Sequence, residues 1–123
     1  TKLIRYALGK KDTVFILPNS VRELEESVFS NCSNLERIVL HNGISALPRS
    51  AFFACVNLKE FEIPNSVTEI GDFVFWCCKK LEEISLSSNI KSIGENVFGY
   101  CKNLNIYAEK GSYAEKYCNE LFS

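Results

Sequence analysis

The chain has 123 residues and a net charge of −1, from 14 Lys and Arg against 15 Asp and Glu, which suits one domain spanning 1–123 and offers no basic field to nucleic acid. No stretch approaches the about 18 apolar residues of a membrane span, and residues 1–6 lack the apolar core of a signal peptide. We therefore expect no nucleic-acid partner and no membrane insertion in this segment.

Residues 1–16 are predicted to form a degenerate first turn of a repeat that is regular from residue 17. Residues 13–17 match the strand of one unit, but the preceding Phe and Cys positions of that unit hold Tyr6 and Gly9. The residues before the strand segment 13–17 include several apolar ones, and no polar cap precedes that segment. Since the end turn of a solenoid needs a polar cap, we expect a fragment of a longer protein that continues upstream.

Residues 17–107 repeat at an interval of 23. The interval is carried by Phe29, Phe52, Phe75 and Phe98 and, three residues after each, by Cys32, Cys55, Cys78 and Cys101. A further apolar column holds Ile38, Phe61, Ile84 and Tyr107, which are all predicted to point inward. Such self-similarity is typical of a solenoid, in which neighbouring units stack to build one continuous core.

Each unit divides into three predicted pieces. The pattern Leu-x-x-Ile-x-Leu, at 35–40, 58–63 and 81–86, predicts a short parallel strand, and these strands should form one sheet. Turn residues such as Pro18 and Pro64 follow, and then Val-x-x-Leu predicts a second extended piece. The step Val-Phe-x-x-Cys suits a single helical or 3₁₀ turn.

The segment 108–123 is predicted to be a C-terminal cap. Ser112 and Glu115 have the spacing of a capping box that opens a helix. Its apolar stripe is predicted to contain Tyr113, Ala114, Tyr117, Cys118 and Leu121. Such a helix would close the end of the solenoid core.

The even spacing of the four repeated cysteines favours small buried side chains over a disulfide framework. Disulfides remain an alternative, because stacked columns lie roughly 4.8 Å apart, which is close to the range a disulfide accepts. Cys101 and Cys118, under the predicted lid, are the first candidates for such a bond.

Catalysis finds little support in the sequence, so no catalytic, cofactor-binding or metal-binding residue is predicted. His41 is the only histidine and falls in a turn column, where a solvated loop residue is expected. The adjacent pair Cys77 and Cys78 lacks the spacing of a zinc site.

Two surfaces are candidate binding sites. The strand residues between the inward ones form what we call the sheet face: Val14, Ile16, Arg37, Val39, Glu60, Glu62, Glu83 and Ser85. Exposed stacked surfaces of this kind bind partners in solenoids, although β-branched residues also suit strands for structural reasons alone. The second surface, which we call the aromatic cluster, comprises Phe53, Phe73, Trp76 and Tyr100. Aromatic rings suit protein partners and sugar rings, or else they only cover an outer edge.

The units that begin at Ile63 and Leu86 read Ile-Pro-Asn-Ser-Val-Thr-Glu-Ile-Gly-Asp-Phe-Val-Phe-Trp-Cys-Cys-Lys-Lys-Leu and Leu-Ser-Ser-Asn-Ile-Lys-Ser-Ile-Gly-Glu-Asn-Val-Phe-Gly-Tyr-Cys-Lys-Asn-Leu. They resemble the BspA-like leucine-rich repeat over residues 13–107. Leu47 and Pro48 depart from the Ile-Gly of that pattern.

The resemblance implies an α/β solenoid: a right-handed leucine-rich-repeat superhelix with short parallel strands, helical or 3₁₀ turns and a C-terminal capping helix. It also implies a bacterial cell-surface or secreted protein. We therefore expect a non-enzymatic module, without a cofactor, that presents the sheet face to a host or cell-surface protein. Alternatives are a glycan-binding module acting through the aromatic cluster and a purely structural spacer.

Overall fold

Two short parallel strands per turn build the molecule, whose computed structural model describes residues 2–3 and 11–121. The strands are β1 Lys2–Leu3, β2 Val14–Ile16, β3 Glu23–Leu24, β4 Arg37–Val39, β5 Ala46–Leu47, β6 Glu60–Phe61, β7 Glu69–Ile70, β8 Glu83–Leu86, β9 Ser92–Ile93 and β10 Asn105–Ala108, and the one helix in the described residues is α1 Tyr113–Leu121. The result is a parallel β-solenoid of about four turns with one C-terminal helix, as the repeat predicted.

Strand pairing follows the 23-residue interval. The even-numbered strands pair as β2–β4–β6 and β8–β10, and the odd-numbered strands pair as β1–β3 and β5–β7–β9. The single sheet predicted for the Leu-x-x-Ile-x-Leu segments is therefore divided. Strand β6 is only two residues long and contacts β8 without pairing with it.

The last turn is one residue shorter than the others, which corrects the inward position predicted for Tyr107. Ile106 pairs with Ile84, and Tyr107 pairs with Ser85 on the opposite face. The sequence has Leu104-x-Ile106 where the other units have Leu-x-x-Ile. Because side chains alternate along a strand, this single deletion turns Tyr107 outward, where 52% of it is exposed.

The steps predicted as helical or 3₁₀ turns are not helical. We call them the outer segments, residues 25–32, 48–55, 71–78 and 94–101. They contain i→i−3 bonds such as that from the Cys55 N–H to the Phe52 carbonyl, 3.1 Å, but a positive φ interrupts any helix at Ser50 (56°) and Ala54 (56°). The same two positions are positive in all four outer segments. As a result, every second N–H group of an outer segment points toward the outer segment that follows it in the solenoid.

The repeated phenylalanines form a stack along the core. Successive ring centroids are 5.5 Å apart from Phe29 to Phe52 and from Phe52 to Phe75, and 5.7 Å apart from Phe75 to Phe98, with interplanar angles of 3–11°. The first three rings are fully buried. The stack explains why the period is carried by Phe, since a flat ring fits the spacing set by the strands.

Helix α1 covers the C-terminal end by packing against β9 and β10. The Ser112 hydroxyl accepts the Glu115 N–H at 3.1 Å, while the Glu115 carboxylate accepts the Gly111 N–H at 3.0 Å, one residue before the position of a standard capping box. The stripe that faces the core is narrower than predicted. Ala114 is fully buried, whereas Tyr113 and Leu121 are 44% and 47% exposed.

The predicted N-terminal turn lies largely outside the described residues. Within the described part, β1 pairs with β3, and Lys2 Nζ lies 3.1 Å from a Glu25 carboxylate oxygen. The Tyr6 and Gly9 positions of the predicted turn are among the residues that the structure does not describe.

Candidate functional site

All eight residues of the sheet face lie outside the core, seven of them on strands and Glu62 directly after β6. Val14 and Ile16, at the N-terminal end, are 45% and 66% exposed. Glu60, Glu62 and Glu83 follow in the middle of the face and are also exposed. The face is thus apolar at one end and acidic in the centre.

A groove of about 990 Å³ crosses this face where β6 and β8 are not paired. Its lining includes Arg37, Glu60, Glu62 and Glu83. The guanidinium Nε of Arg37 lies 3.5 Å from a Glu60 carboxylate oxygen, so the arginine charge is partly offset within the groove. Both side chains are more than half exposed, and this ion pair therefore contributes little to stability.

Tyr107 also lines the groove and was missed by the sequence analysis. It faces outward because the last turn is one residue short, as described above. The Leu104-x-Ile106 spacing was the available signal, since it offered Ile106 as the inward residue in place of Tyr107.

The four rings of the aromatic cluster meet on the outer side of the solenoid. Phe53 and Trp76 stack with centroids 4.8 Å apart and an angle of 9°. Phe73 meets Phe53 edge-on at 6.4 Å, and Tyr100 meets Trp76 at 5.1 Å and 77°. Tyr100 is 67% exposed, so the cluster presents one free ring beside a perpendicular indole.

Two backbone positions, Phe73 and Gly99, determine where these rings lie, and the side chain of Arg49 contacts one of the rings. Phe73 has a φ of 58°, which is unusual for a bulky residue, and the Arg49 guanidinium lies 5.8 Å from its ring centroid. Gly99 continues the column of Phe53 and Trp76. A Cβ at Gly99 would lie 2.7 Å from Trp76 Cδ1, so the indole occupies space that only glycine leaves free.

His41 is half-buried and bridges two turns, in contrast to the solvated loop residue predicted. Its Nδ1 accepts the Gly43 N–H at 3.0 Å, which leaves Nε2 as the donor to the Pro18 carbonyl at 3.1 Å. These two bonds give His41 a structural role. They connect the turn that contains Pro18 to the equivalent turn of the next unit, which contains His41 and Gly43.

The six cysteines are thiols and none forms a disulfide, so no bond joins Cys101 to Cys118. Cys32, Cys55 and Cys78 are buried. Burial raises the pKa of the Cys55 thiol to about 12 and that of Cys101 to about 11, and it raises the pKa of Cys78 further. Burial therefore disfavours the thiolate, which is the form that nucleophilic and metal-binding chemistry requires.

The described residues hold no group of three or more His, Cys, Asp or Glu side chains arranged for a metal ion. No helix in the same part of the chain has the length and apolar character to cross a membrane.

Comparison with known proteins identifies the repeat. The model of the BspA type leucine-rich repeat region matches residues 8–121 in six copies. The chain belongs to the BspA-type leucine-rich repeat family. The match extends beyond residues 13–107, where the resemblance was seen, and includes all of helix α1. No protein among those with curated descriptions is significantly similar in sequence.

Solved structures of leucine-rich repeat proteins share the fold. A leucine-rich cell surface protein from Faecalibacterium prausnitzii is 29% identical with a TM-score of 0.78, over 92% of this chain and 36% of its own. A leucine-rich repeat protein from Bacteroides ovatus is 31% identical with a TM-score of 0.74, over 79% of this chain and 25% of its own. A leucine-rich repeat protein from Eubacterium ventriosum is 29% identical with a TM-score of 0.78, over 85% of this chain and 29% of its own. The chain therefore spans about a third or less of these structures. It is a repeat module of a binding or structural kind.

Proposed function

We propose that the chain is a non-enzymatic binding module of a bacterial surface or secreted protein and that its sheet face binds a protein partner. The observation that carries the proposal is the face itself: exposed Val14 and Ile16 adjoin a groove lined by Glu60, Glu62 and Glu83. Exposed β-branched side chains supply apolar area, and a charged surround supplies specificity, as in protein interfaces. The similarity to a cell surface protein supports the setting.

Substitutions on the two exposed strand surfaces test the proposal. Ile16→Lys and Glu62→Lys change the sheet face, and Glu69→Lys, at the exposed residue of β7, is the matched control. We expect both sheet-face variants to weaken binding to immobilised host extracellular-matrix and cell-surface proteins at least tenfold, while Glu69→Lys retains it. Binding equally affected by all three variants, or absent for the parent, would contradict a sheet-face site.

A second candidate is glycan binding by the aromatic cluster. The exposed Tyr100 ring, perpendicular to Trp76, favours it, because flat rings stack against the C–H faces of sugars. On a glycan array, Tyr100→Ala should abolish binding, whereas Tyr107→Ala, an exposed tyrosine on the sheet face, should not. If neither surface binds a protein or a glycan, the spacer role remains as the function of the chain.

A further inference from the structure

Backbone hydrogen bonds join the outer segments in one direction. Every second N–H group of one outer segment donates to a carbonyl of the outer segment in the next turn. From the first segment to the second, the bonds run from Ser27 to Arg49, Phe29 to Ala51 and Asn31 to Phe53. The corresponding bonds of the later segments are Ser50 to Asp72, Phe52 to Val74, Ala54 to Trp76, Phe73 to Glu95, Phe75 to Val97 and Cys77 to Gly99. These nine bonds measure 2.7–3.0 Å. The outer segments thus form a third ladder beside the two sets of strands.

Within residues 11–121, the ladder is left open at its C-terminal edge. Asn96, Phe98 and Tyr100 occupy the donor positions of the fourth turn, and their N–H groups donate no backbone hydrogen bond within the described chain. Helix α1 packs against β9 and β10 and does not supply a fifth outer segment. Three unpaired N–H groups, spaced as in a ladder, are a template for pairing with another chain.

The side chain of Phe98 is also only partly covered at this edge. Its ring stacks on Phe75 at 5.7 Å but is only half-buried, and among the described residues no fifth ring stacks on its outer face. The carbonyls of Phe29, Phe52 and Phe75 each accept the thiol of a cysteine one turn later. In the described chain the Phe98 carbonyl accepts only the Cys101 N–H, at 3.2 Å.

We propose that this edge binds a peptide segment of another protein, which adds as a fifth outer segment. The segment supplies carbonyls at alternate residues to Asn96, Phe98 and Tyr100, and a large apolar side chain that covers the Phe98 ring. The sequence of residues 94–100 is a suitable example of such a segment. Its carbonyls at Glu95, Val97 and Gly99 accept the N–H groups of the third outer segment in the same way. The site is separate from the sheet face, so either can fail without the other.

A peptide with the sequence of residues 94–100, acetylated and amidated, tests the proposal by titration into the full ¹⁵N-labelled chain. We expect saturable shifts and slower hydrogen exchange at the amides of Asn96, Phe98 and Tyr100. The equivalent amides of Phe73, Phe75 and Cys77 are already bonded and serve as the internal control. A peptide with Ser in place of its Phe should bind about tenfold or more weakly, since it buries far less apolar area.

Two protein variants complete the test. Phe98→Ser should weaken binding about as much as the peptide change does. Tyr100→Ala keeps the backbone donor and should bind within a few-fold of the parent, which keeps the proposal testable if Phe98→Ser does not fold. Absence of shifts at millimolar peptide, shifts of equal size at the bonded amides, or loss of binding in Tyr100→Ala would overturn it. Protection of the three amides that depends on protein concentration alone would identify a second copy as the occupant and would also overturn it.

Discussion

The Cys55 thiol donates a hydrogen bond of 3.0 Å to the carbonyl oxygen of Phe29, one turn earlier in the solenoid. Cys78 and Cys101 make the same bond to Phe52 and Phe75, at 3.2 and 3.0 Å. The repeated cysteine therefore has a polar role as well as an apolar one. It provides a small buried side chain that satisfies a carbonyl between two turns.

Cys55→Ala should lower the free energy of unfolding by about 1–2 kcal/mol, because it leaves a small cavity and removes the thiol donor to Phe29. Urea denaturation provides the measurement. The control is Cys77→Ala, at a half-buried positive-φ position where the second turn already has Ala54. An equal loss in both variants would show that the buried column has no special contribution.

Stability should fall steeply as the pH is raised above about 9. The pKa of Cys55 is raised by burial to about 12 from an ordinary value of 9.0, so the unfolded chain loses this proton first. A raised thiol pKa gives stability that is complete below the unfolded pKa and is lost as pH rises toward the folded one.

The midpoint of urea denaturation at pH 8, 9, 10 and 11 measures this effect. The parent should lose more stability over this range than Cys55→Ala, which lacks the Cys55 thiol but keeps the buried thiols of Cys78 and Cys101. Cys77→Ala should follow the parent. Parallel pH profiles for all three proteins would count against thiol titration as the cause.

Phe52→Ala should cost about 3–5 kcal/mol, since the ring is fully buried between Phe29 and Phe75. Phe53→Ala changes the adjacent residue, whose half-buried ring stacks on Trp76, and should cost much less. Thermal unfolding of the two variants compares the inner ring with the outer one. A melting temperature for Phe52→Ala within a few degrees of the parent would contradict the proposed core.

Gly99→Ala should displace the indole of Trp76, because the new Cβ would lie 2.7 Å from Cδ1. Trp76 is the only tryptophan, so its emission spectrum reports the change directly. We expect a red shift and a loss of about 1 kcal/mol. Gly111→Ala, at a φ of 84° with no atom within 4 Å of the added Cβ, should destabilise the chain without changing the spectrum.

Periodicity alone predicted most of the fold. The columns of Phe52 and Cys55 are buried as expected in the first three turns, and the two extended pieces of each unit are strands. The sheet face and the aromatic cluster could be assembled from the sequence for the same reason: residues 23 apart in a solenoid stack on one another. This reasoning fails where the interval does, and so Tyr107 was assigned to the wrong face.

The sequence by itself determined the stacking, because an apolar residue that recurs at a fixed interval must lie in a common core. Only the tertiary structure decided how the outer segments bond. Their conformation depends on positive φ at residues such as Phe73 and Cys77, whose side chains do not favour it, and on N–H groups that reach a neighbouring turn. The open edge at Asn96, Phe98 and Tyr100 follows from where α1 packs, which no local pattern specifies.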